Sequence, residues 1–152
     1  MYGVRCFCGR PARGGGFCIY HDPQCVKNPA CRRMHAFTPD CERCHLPGGE
    51  ASGVPPRLRE ARIYGPLVVE TVAGDVELEG ARGVDLCIYS VRGDVKLAGA
   101  RFRHIYIDGV VGSVDFTNGR ADTFVAIAVN GRLAATGARI GGGCTWWTPQ
   151  AS

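Results

Sequence analysis

A mostly-β chain in two parts is predicted: a small two-zinc module followed by a single-stranded β-solenoid of about four coils of nineteen residues. Three observations predict it. Seven of the nine cysteines and three of the four histidines crowd between Cys6 and His45. From Leu67 onward, apolar residues recur every nineteen positions and alternate within each unit, which is strand spacing. A glycine returns once per unit, at Gly74, Gly93, Gly112 and Gly131, where a backbone without Cβ is needed.

The order along the chain is a Cys/His module over 1–47, a linker over 48–60, the solenoid over 61–143 and a C-terminal cap over 144–152. The expected metal ligands of the first module are Cys6, Cys8, Cys18, His21, Cys25, Cys31, Cys41 and Cys44. Two units share one form, Cys8-x9-Cys18-x2-His21 and Cys31-x9-Cys41-x2-Cys44. Closely spaced donors chelate one ion from a single turn, and two such pairs complete the tetrahedron zinc prefers. Eight donors in four pairs therefore predict two zinc ions. Disulfides are the alternative use of these cysteines, expected in an oxidising compartment or an intracellular hyperthermophile protein. Pairs could serve the two ions in sequence (Cys6, Cys8, Cys18, His21, then Cys25, Cys31, Cys41, Cys44) or interleaved. His35 and His45 are spare donors. So short and glycine-rich a segment cannot build a core alone, and bound metal supplies the missing folding energy, on the order of 10 kcal/mol per structural zinc.

The donor order C–C–C–H–C–C–C–C, with Cys8-x9-Cys18, Cys18-x2-His21-x3-Cys25 and Cys41-x2-Cys44, resembles a RING-type cross-brace. The resemblance covers residues 6–44 and implies interleaved zinc pairs. In that family it also implies ubiquitin-ligase activity through a docked conjugating enzyme. The module's basic residues Arg10, Arg13, Lys27, Arg32 and Arg33 are candidate phosphate contacts, which makes nucleic acid a possible partner. The stretch GGEASGVPP from Gly48 to Pro56 is small, polar and ends in prolines, as a hinge would.

In the second module six apolar columns run without insertion. Leu67, Leu86, Ile105 and Phe124 form one, and Val69, Ile88, Ile107 and Ala126 the next. The others start at Val72, Val76, Leu78 and Ala81. Strands too short to fold alone, repeating without helices, imply coils that bury a shared core. Segments such as GDVELEGA, GDVKLAGA and GSVDFTNG resemble the bactofilin type of right-handed β-helix over residues 66–141. That resemblance implies a non-catalytic, self-associating scaffold.

Arg82, Arg101, Arg120 and Arg139 form a further column. Stacked about one strand spacing apart, ~4.8 Å, such charges repel by about 0.9 kcal/mol per neighbouring pair in water. Corner carboxylates and carbonyls, or a bound polyanion, would have to compensate. Cys144, Trp146 and Trp147 are expected to lid the last coil. On the outward face Cys87, Tyr89, Tyr106, Val125 and Ile127 make an aromatic and aliphatic patch, a candidate surface for a protein partner or a second subunit.

The net charge of +4 is too mild to demand a polyanion. No nucleophile elbow, phosphate loop or paired catalytic histidine is present, so no enzyme activity or small-molecule substrate is expected. The first residues lack a signal-peptide core, and the longest apolar run, Phe124 to Val129, is far short of a membrane span. A cytoplasmic protein is therefore expected. The functional expectation is a zinc-stabilised adaptor or scaffold for protein–protein interaction. The alternative is a nucleic-acid-binding protein that reads through its zinc module.

Overall fold

The computed structural model describes residues 21, 22, 24, 25, 28 and 37–147, with side chains through Gly142. Strand dominates, and among the described residues helix occurs only at Gln24 and Cys25. The strands in order are β1 (His45–Leu46), β2 (Gly49–Ser52), β3 (Arg62–Ile63), β4 (Leu67–Val72), β5 (Val76–Glu77) and β6 (Asp85–Val91). They continue as β7 (Val95–Lys96), β8 (His104–Val110), β9 (Val114–Asp115), β10 (Arg120–Val129), β11 (Leu133–Ala134) and β12 (Arg139–Trp147).

Every pairing is parallel. The long side of the molecule is a six-stranded sheet in the order β12-β10-β8-β6-β4-β2, and a shorter side is the four-stranded β11-β9-β7-β5. A third, narrow side is a row of single bridges, Arg62 to Arg82 to Arg101 to Arg120, which β10 and β12 continue to Arg139. The result is a β-solenoid of about five turns, one more than the apolar columns mark.

The register is the predicted one. Leu67 pairs with Leu86, Leu86 with Ile105 and Ile105 with Phe124. All members of the six columns are buried except Leu133, Ala135 and Ala138 of the last coil, which are half-buried because nothing described lies above them. The inward step from 69 to 72 breaks strict alternation for a local reason. Thr71, Ser90, Gly109 and Ala128 each adopt positive φ (51°, 56°, 84° and 55°), so one residue per coil leaves the pairing and the parity shifts. Three of these four are not glycine, and such left-handed backbone is costly for L residues.

The glycine column has a different cause. A Cβ on Gly112 would sit 2.6 Å from the Gly93 carbonyl oxygen, and one on Gly131 would meet the Gly112 oxygen at the same 2.6 Å. Amides at these glycines bond directly coil to coil at 3.0 and 2.9 Å. The backbones touch, leaving no room for a side chain.

Residues 48–60, expected as a linker, lie inside the stack. β2 pairs with β4 at a spacing of eighteen residues, Gly49 beside Leu67 and Ala51 beside Val69. Leu58 and Ala61 are fully buried. The cap expected over 144–152 also joins the sheet for part of its length: β12 pairs with β10 as far as Trp147, after a register shift between Ala121 and Thr123. Residues 148–152 lie outside the described residues.

Candidate metal centre

The coil that contains β1 begins earlier in the chain. Asp40 bridges Arg57, and His45 pairs with Arg62. Counting one residue on from Asp40 and one back from His45, Cys41 stands beside Leu58 and Cys44 beside Ala61. The two cysteines thus extend the inward columns that carry Leu78, Leu97 and Phe116, and Ala81 and Ala100, in the coils above. Both belong to the same hydrophobic core, 5% and 0% exposed. Backbone bonds hold them there: the Cys41 amide donates to Arg57 at 3.0 Å, and the Arg62 amide donates to Cys44 at 2.7 Å.

His21 closes over this pair. It is buried to 3% exposure, the one buried polar side chain among the described residues. Its Nε2 lies 2.9 Å from the Glu42 carbonyl oxygen and 3.4 Å from Cys44 Sγ. One nitrogen of His21 and the sulfurs of Cys41 and Cys44 all lie within 4.8 Å of one another. The cysteine Cα atoms are 5.6 Å apart and the two sulfurs are in bonding contact. A disulfide would account for the sulfurs, but it gives no reason for an imidazole to be desolvated against them. One metal ion accounts for all three donors, and the thiolate–imidazole chemistry fits it. The same Nε2 faces both the Glu42 carbonyl and Cys44 Sγ, so a ring that ligates through it would give up the carbonyl bond.

This grouping bears on the pairing left open by spacing. A sequential arrangement separates His21 from Cys41 and Cys44, whereas an interleaved one unites them. The structure unites them. Cys25 is buried as well, at 2% exposed, with its sulfur bonded. His45 faces elsewhere, its Nδ1 3.0 Å from the Tyr64 hydroxyl and its ring stacked on the Tyr64 ring. Cys6, Cys8, Cys18, Cys31 and His35 lie outside the described residues, as do Arg10, Arg13, Lys27, Arg32 and Arg33 of the expected nucleic-acid contacts.

The outward patch assembles as the register requires. Cys87, Tyr106 and Val125 are neighbours across β6, β8 and β10, and Asp108 stands between Tyr89 and Ile127. All five patch residues are half-buried. The Tyr89 and Tyr106 rings lie 5.7 Å apart, and Cys87 is a free thiol. Partial burial pushes the Tyr89 phenol above its ordinary range, and the neighbouring Cys87 adds to the shift.

Two features carried no recognised signal in the sequence. The arginine column has a fifth member, Arg62, because the Arg62–Arg82 step is twenty residues rather than nineteen. A second ladder runs beside the glycines: Asp75 Oδ1 accepts the Asp94 amide, Asp94 Oδ1 the Ser113 amide and Ser113 Oγ the Arg132 amide, at 2.9, 2.9 and 3.0 Å. Its signal was the Gly-Asp, Gly-Asp, Gly-Ser succession in the turn column.

No family model, curated protein or solved structure matches the chain. What the structure supports of the expected resemblances is the stacking of coils and one candidate metal-binding group. No helix among the described residues is long and apolar enough to cross a membrane.

Proposed function

We propose that the chain is a non-catalytic, zinc-stabilised scaffold. In this reading a metal centre closes the N-terminal end of a solenoid, and the outer face of the long sheet docks a protein partner or a second copy of the chain. The observation that carries it is the position of Cys41 and Cys44 in the core columns. A solenoid ends in an open core and an unpaired strand edge, both of which invite aggregation. Ligand side chains in the core positions of the lowest described coil let an ion close the core at that end.

The ion on this site is zinc, held by His21, Cys41 and Cys44, with Cys18 as fourth ligand from its Cys-x2-His pair. Cys6, Cys8, Cys25 and Cys31 hold a second zinc. Such closed thiolate and imidazole sets serve structure rather than catalysis. Measuring metal content by native mass spectrometry, with a free-thiol count on the same sample, tests this reading. Two zincs per chain and no disulfide are expected. A metal-free protein with Cys41 and Cys44 oxidised would overturn it.

A further inference from the structure

We propose that the ladder Arg62, Arg82, Arg101, Arg120 and Arg139 binds the phosphate backbone of a single-stranded nucleic acid. Parallel pairing puts the five residues in phase, so that each repeats its neighbour's position one coil higher. With strands ~4.8 Å apart, the row is straight and about 19 Å long. All five arginines are exposed, and none forms an ion pair or side-chain hydrogen bond among the described residues.

Asp122 shares an open hollow with Arg101 and Arg120 but pairs with neither among the described residues, so five positive charges face this one neighbouring carboxylate. Arg43 already holds Glu60 at 3.1 Å, and Arg59 holds Glu79 at 3.2 Å, so these nearby acids are engaged elsewhere. Between Arg101, Arg120 and Arg139 lies an open hollow of about 260 Å³ that Gly119, Gly137 and Asn118 also line. Guanidinium forks meet phosphate oxygens two at a time. A flexible single strand can follow a straight row, whereas a duplex backbone spirals away from it. The row uses none of the proposed metal donors, although Arg62 begins it beside Cys44.

The test is fluorescence anisotropy of a labelled thymidine oligonucleotide of about twenty nucleotides with the full, zinc-loaded chain. Binding should weaken between about 50 and 200 mM salt, with a log–log slope near −3 if four or five phosphates are contacted. The double variant R101E/R120E should bind at least about tenfold more weakly and with a shallower slope, and R101K/R120K should fall between it and the parent. Arg92→Glu, which removes an exposed arginine at a different corner, should bind like the parent. Circular dichroism on each variant checks the fold. Three results would overturn the proposal: no binding at low salt, parent-like binding by R101E/R120E, or equal losses in R92E and R101E/R120E. Displacement of the oligonucleotide by polyglutamate at equal charge concentration would also overturn it, because the row would then be reading charge rather than phosphate.

Discussion

Single side chains set how the molecule answers to pH. Glu50 and Glu70 lie on adjacent strands, and the shared hydrogen bond and repulsion between the two carboxylates push the Glu70 carboxyl above its ordinary range. A carboxyl raised on folding binds its proton more readily in the native state, so stability falls as pH rises through the folded value. Glu50→Gln should return the Glu70 titration, followed by side-chain NMR, toward that of a free glutamate. It should also flatten stability across mildly acidic pH. Asp75 behaves oppositely. The Asp94 amide, and then Lys96 at 3.3 Å, hold its carboxyl below the usual range. Its contribution is present above the unfolded value and is lost as pH falls through the folded one. In Asp75→Ala, denaturant midpoints should therefore drop at neutral pH and meet those of the parent in strong acid.

At the scale of the strand and the turn, the repeat rests on contacts that cannot be exchanged. Gly112→Ala forces a methyl against the Gly93 carbonyl, and since neither backbone can retreat, a loss of about 1–3 kcal/mol is expected in urea denaturation. Ile107→Ala in the middle of the long sheet removes a side chain that is wholly buried and should cost about 2–5 kcal/mol. Substituting Tyr89 and Tyr106 together by Ser touches only the half-buried outer face. It should leave the melting curve close to the parent's and abolish any self-association that light scattering detects in the parent. A parent that stays monomeric at high concentration would remove self-association as the role of this face.

Across the whole molecule, the parts that could be read from residues alone are those with local periodicity. Val76, Val95 and Val114, or Gly74, Gly93 and Gly112, announce their stacking because identical environments recur at identical intervals. The lowest coil was hidden because it breaks that interval. Gly49 sits eighteen residues below Leu67, and prolines and cysteines occupy positions that hold valine, leucine or alanine above. Spacing marked His21, Cys41 and Cys44 as candidate donors, yet not that they meet, since a meeting across twenty residues depends on how the chain returns. An ion bound as proposed at Cys41 and Cys44 would sit in the lowest described coil of the solenoid. Chelation should therefore lower hydrogen-exchange protection in β1, β2 and β4 first and in β10 least, as in a stack whose coils contact only their neighbours. Uniform loss across all strands would instead mean that the stack melts as one block.

The side-chain ladder from Asp75 through Asp94 to Ser113 also has a direction, and it stops. Each rung offers an oxygen upward to the amide of the next coil, and Arg132, which follows Ser113, carries donors and no acceptor. A further coil, or another copy laid end-on at this corner, would bring its amide to a residue unable to receive it. The side-chain ladder thus ends at Arg132, while the backbone stacking, which runs on below Asp75 without any such rung, does not depend on it.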